Sequence, residues 1–141
     1  MNILDTNIFN RLLDGKLSVH DLPVGRYIVT HIQRDELNNT PDAVRRADLQ
    51  IQFDALVDEV APTESAVLDV WRLNAANLGD GIIYERIRAA LDAAEPQRVP
   101  ANTSDALIGE TAIIKGYVLL TTDTTFANVV QSLGGKVILF S

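Results

Sequence analysis

Residues 117–121, Tyr-Val-Leu-Leu-Thr, form an unbroken apolar run with Gly116 before it and Asp123 just after it. A short β-rich run with no polar alternation reads as a strand buried on both faces. Asn2-Ile3-Leu4 makes a second such strand at the start of the sequence, followed directly by Asp5. Strands of this kind need a layer of structure on each side. The chain supplies those layers, because strand-like and helix-like stretches alternate along it. That pattern predicts an α/β fold with a parallel central sheet covered on both faces.

Taken in order, Thr6 or Asn7 is expected to cap a first helix running through Ile8, Phe9, Leu12 and Leu13, which Asp14-Gly15 ends. Residues 25–30 read as a second strand, with a short helix over about 32–38. Thr40 as cap and Pro41 in the first turn predict a helix over about 42–59. Its stripe is Leu49, Phe53, Leu56 and Val60. Residues 65–71 fit either a third strand or a buried helical turn. Asp80 is the expected cap of a helix over 82–94, and residues 96–100 a connector. Asn102-Thr103-Ser104 offers caps for a helix ending at Lys115, with Gly116 in the C′ position. After the strand at 117–121, Asp123 opens a last helix through Phe126, Val129 and Val130. Gly134-Gly135 then turns into a final strand, 137–140. No repeat, low-complexity run or domain boundary divides residues 1–141, so a single domain is expected.

Composition narrows the chemistry. With no cysteine and two histidines, thiolate sites and disulfides are excluded and a His-rich zinc centre is disfavoured. No apolar run nears the roughly 18 residues that span a membrane, and no signal peptide is read, so a cytoplasmic location is expected. Nineteen acidic against 12 basic residues give a net charge of −7. A protein that binds nucleic acid by neutralising phosphates is normally basic. Either nucleic acid is not a partner, or the negative charge is gathered where a cation offsets it.

Four acids fit the second case. Asp5 and Asp123 share one context: apolar strand, turn, carboxylate, helix start. If their strands are neighbours across the sheet's switch point, both carboxylates enter one crevice. Asp105 lies near the start of the helix feeding the strand at 117–121, on or near its buried face, where an unpaired charge is costly. Glu36 lies a few residues past the second strand. An all-oxygen set suits a hard cation, Mg²⁺ or Mn²⁺. An ion held by carboxylates and water is suited to activating water against a phosphodiester.

These residues resemble a known family. Leu4-Asp5-Thr6-Asn7, Glu36-Leu37, Asp105-Ala106-Leu107-Ile108 leading to Lys115-Gly116, and Leu120-Thr121-Thr122-Asp123 followed by Phe126 are similar, in order and spacing, to a PIN domain. The likeness is greatest to the VapC-type toxins of bacterial toxin–antitoxin pairs. The resemblance implies a three-layer α/β/α PIN-like fold and Mg²⁺- or Mn²⁺-dependent endoribonuclease activity. It also implies a homodimer and inhibition by a cognate antitoxin, whose basic C-terminal segment can place an arginine among the carboxylates. Asp5, Glu36, Asp105 and Asp123 match the family's acidic quartet. The implied direct metal ligands are Asp5 and Asp105, with Glu36 and Asp123 acting through water or on a second ion. Thr6, Asn7 and Thr121 match supporting polar positions. The family often carries another acid two residues past the fourth, where this chain has Thr125.

Neighbouring residues have plainer readings. Asp35 and Glu36 point about 100° apart on a helix, so only one of them can face the crevice, and the resemblance, through Glu36-Leu37, implies Glu36. His31 reads as structural or surface, Trp71 as a core or interface anchor, and Arg45 and Arg46 as solvated charge. Arg34, Arg72, Arg86, Arg88 and Arg98 can line an RNA path, but none is assigned a substrate contact. Two other functions compete with the nuclease: an idle PIN fold acting as a binding module, and a receiver-like signalling domain. The second needs a lysine at the end of the last strand, whereas Lys136 precedes that strand and Phe140 ends it.

Overall fold

A computed structural model describes residues 1–63 and 80–141. The expectations for 65–71, Trp71, Arg72 and the turn at 78–79 lie outside the described residues. In chain order the elements are β1 (Asn2–Leu4), α1 (Thr6–Leu13), β2 (Tyr27–Thr30), α2 (His31–Asn38), α3 (Ala43–Leu56) and β3 (Glu59–Ala61). Further along the chain come α4 (Asp80–Ala94), α5 (Val99–Lys115), β4 (Val118–Thr121), α6 (Thr124–Ser132) and β5 (Lys136–Leu139). Short 3₁₀ turns at Val19–Asp21 and Pro96–Arg98 join them.

All five strands are parallel, in the order β3-β2-β1-β4-β5. The period of two along a strand decides what each residue packs against. Ile3 and Leu119 point to one side, into a core with Ile87, Leu91, Ile108, Phe126 and Val130 from α4, α5 and α6. Leu4 and Leu120 point to the other, with Ile8, Phe9 and Leu12 of α1, Leu37 of α2 and Leu49 of α3. Ile3, Leu4, Leu119 and Leu120 are wholly buried. Each such aliphatic contributes about 1.5–3 kcal/mol relative to exposure. The three-layer α/β/α PIN-like fold follows, with strands apolar on both sides because both sides are covered.

Several boundaries differ from expectation. Asp5 itself caps α1, its carboxylate accepting from the Thr6 amide, so Thr6 is already helical. Asp42, rather than Thr40, caps α3, accepting from the Val44 and Arg45 amides. That helix ends at Leu56, and Val60 belongs to the edge strand β3, so the apolar stripe crosses from helix to strand. Asp80 already lies within α4. Pro100 sits in the first turn of α5, which begins at Val99, so Asn102, Thr103 and Ser104 are helical. Asn102 is buried and donates from its side chain to Asp92 Oδ1 (3.0 Å) and the Glu95 carbonyl (2.9 Å). Gly116 closes α5 with φ +70°, a left-handed conformation that glycine adopts without strain. Lys136 opens β5, which ends at Leu139.

Candidate active site

The chain runs outward from β1 through β2 to β3, then returns to β4 on the other side of β1. This makes the carboxyl ends of β1 and β4 the switch point, where neighbouring connections diverge and leave a crevice. A cleft of about 430 Å³ opens there, lined by Asp5, Thr6, Asn7, Asn10, Glu36, Arg98, Ser104, Asp105 and Asp123 among others. All four sequence-selected acids therefore line one cleft, from β1, α2, α5 and the end of β4. Asp35 points elsewhere, beside Arg34 at 3.8 Å. His31 is exposed and does not line the cleft.

Asp5 is the innermost acid, 6% exposed. Its Oδ1 accepts from the Thr6 amide (2.8 Å) and its Oδ2 from the Thr121 hydroxyl (2.7 Å). Thr121 Oγ1 in turn accepts from the Asp123 amide at 3.0 Å, linking the two acids. Asn7 Oδ1 accepts from the Thr122 amide at 3.3 Å, tying α1 to the turn after β4. Thr6 Oγ1 is buried beside Glu36, whose charged form it favours. Asp123 caps α6 through Oδ1, which accepts from the Phe126 amide at 3.0 Å.

The electrostatics reflect four acids withdrawn from water together. Burial raises the Asp5 pKa, the Thr121 and Thr6 hydrogen bonds oppose it, and the Asp123 charge adds to it. Asp105 is pushed up to about 8, first by burial and then by Asp5, with Arg98 the main opposing influence. Glu36 is the most open of the four; desolvation against the cleft wall, then Asp5, raises it. Each carboxylate destabilises its neighbours' charged forms, a cost that a bound cation relieves.

Arg98, one of several arginines that the sequence offers for an RNA path with no contact assigned, is the one cation among the described residues lining the cleft. Its Nη1 lies 3.3 Å from Asp123 Oδ2 and its Nη2 lies 3.9 Å from Asp105 Oδ2. It ends the 3₁₀ turn just before α5, seven residues ahead of Asp105, and that spacing is the only signal the sequence carries. Arg45, expected to be free surface charge, instead bridges α3 to α1 through Asp14 (2.8 Å) and Asn10 Oδ1 (2.8 Å). Lys136 lies at the amino end of β5, away from the strand ends that carry the acids, which counts against a receiver-like phosphoryl site.

The donor chemistry fits a hard divalent ion: carboxylates, hydroxyls and amide oxygens line the cleft, with no imidazole or thiolate among them. As the side chains stand, no three acids or histidines among the described residues are arranged to hold an ion. Arg98 takes up Asp123 and stands 3.9 Å from Asp105.

No family model matches the sequence, and no curated protein aligns with it significantly. Solved structures share the fold. A chain of VapBC2 from Rickettsia felis, bound to a DNA fragment from their promoter, superposes with a TM-score of 0.64 at 14% identity, covering 99% of this chain and 98% of that one. A chain of VapBC-1 from nontypeable Haemophilus influenzae gives 0.60 at 17% identity, and one of FitAcB from Neisseria gonorrhoeae 0.59 at 15%. Each of these two matches covers 98% of this chain and 96% of the other. The fold implied by the sequence resemblance is thus the fold these chains have.

Proposed function

We infer that the chain is a divalent-metal-dependent endoribonuclease, the toxin half of a toxin–antitoxin pair. The observation that carries this reading is the convergence of Asp5, Glu36, Asp105 and Asp123 on one cleft at the carboxyl ends of β1 and β4. The shared fold with VapBC and FitAcB chains supports the biological setting.

Asp5 and Asp105 would hold Mg²⁺ or Mn²⁺ directly, with Glu36 and Asp123 engaging it through water. Such an ion supplies positive charge against the scissile phosphodiester and lowers the pKa of a water. The chain's own residues do the positioning. Thr121 and the Thr6 amide fix both Asp5 oxygens, and the Thr121–Asp123 link sets the spacing across the β1–β4 seam. Asn7 anchors the turn after β4, so the cleft's two walls keep their separation. Glu36, at the open side, can orient the attacking water, and a 5′-phosphate product is expected. The partner is an antitoxin with a basic C-terminal segment, whose arginine would compete for the same carboxylates. A second copy of the chain completes the expected assembly. Among the described residues no helix is long and apolar enough to cross a membrane.

The test is cleavage of a pooled RNA by purified protein with Mg²⁺ or Mn²⁺. Activity should disappear with EDTA and fall about 100-fold or more in Asp5→Asn. Cleavage persisting in that variant would reject the site, and an RNA pool left intact under every metal would favour an idle binding module.

A further inference from the structure

The geometry points to Arg98 as the cleft's built-in second cation, so that the site takes one divalent ion per chain and not two. This rests on the nuclease reading and specifies how its site is charged. Asp123 has no oxygen without a donor: Oδ1 accepts from the Phe126 amide (3.0 Å) and Oδ2 faces Arg98 Nη1 (3.3 Å). Asp5 is also doubly bonded, but to neutral donors that leave its charge available to an ion. At Asp123 the donor is itself a cation, and it repels a further ion brought to the same carboxylate.

The first turn of α6 adds no other acid, only Thr124 and Thr125, so Asp123 has no carboxylate beside it to share an ion. Arg98 is also held in place. It pairs with Glu95, and the turn carrying both is fixed by the buried Asn102 amide on the Glu95 carbonyl. A guanidinium does not lose its charge at any working pH, so this cation is permanent. Metal chemistry at such a cleft would be concentrated at Asp5 and Asp105, with Arg98 offsetting the Asp123 charge at 3.3 Å and standing 3.9 Å from Asp105, beyond hydrogen-bond reach.

Counting Mn²⁺ bound to the full chain, by electron paramagnetic resonance titration, tests this independently of cleavage. The wild type should saturate at one ion. Arg98→Gln should gain a second, and Arg98→Lys, which keeps the charge, should return to one. Arg98 is partly exposed, and melting curves will confirm that both variants fold. Two ions on the wild type, or one on Arg98→Gln, overturns the inference while leaving the nuclease reading intact. No ion on any of the three overturns both.

Discussion

At the scale of single residues, Asp105 is the group most at odds with its surroundings. Its folded pKa of about 8 stands far above the ordinary 3.8, with burial the first cause and Asp5 the second. The folded chain therefore binds a proton more tightly than the unfolded chain. The stability that this difference contributes is fully present below about pH 4 and is lost as pH rises through about 8. Without divalent ion, the melting temperature should fall between pH 5 and pH 8.5, and Asp105→Asn should flatten that slope and raise stability at the alkaline end. Equal slopes in melts with EDTA would contradict the assignment. Asp5 and Asp123 are legible in the sequence because each follows an apolar strand and opens a helix, and Glu36 because Glu36-Leu37 fits the family resemblance. Arg98 is not, because an arginine before a helix is ordinarily solvated. Only the fold shows that it meets carboxylates from two other elements.

At the scale of elements, the strands and most helices were readable, while the caps were not. Thr40 and Asp42 are both good capping residues two positions apart, and local sequence cannot choose between them. In the fold Asp42 takes the role, its Oδ1 accepting from the Val44 and Arg45 amides. Asp42→Ala should then cost about 1 kcal/mol, whereas Thr40→Ala should change stability by less than about 0.5 kcal/mol. Denaturant melts of the two variants decide it, and RNA cleavage should be unchanged in both. The three-residue strand β3 escaped the sequence reading for a related reason. Val60 continues the helical spacing of Leu49, Phe53 and Leu56, and only pairing with Val29 makes it a strand. Pro100 was read as a connector, although a proline lacking its amide hydrogen is also suited to a first helical turn, which is where it lies.

At the scale of the molecule, the sheet order gathers four of the 19 acids behind the net charge of −7 into one cleft. Crossing from β3 back to β4 brings together acids more than a hundred residues apart, at the one edge where a parallel sheet leaves room for a ligand. An acidic protein can then meet a polyanion, provided an ion is held at that edge. The most direct measurement is the anomalous scattering of crystals grown with Mn²⁺. A peak in the cleft between Asp5 and Asp105, absent from Asp5→Asn crystals grown the same way, is the predicted result. No peak there at saturating Mn²⁺, or one that persists without the Asp5 carboxylate, would contradict the account.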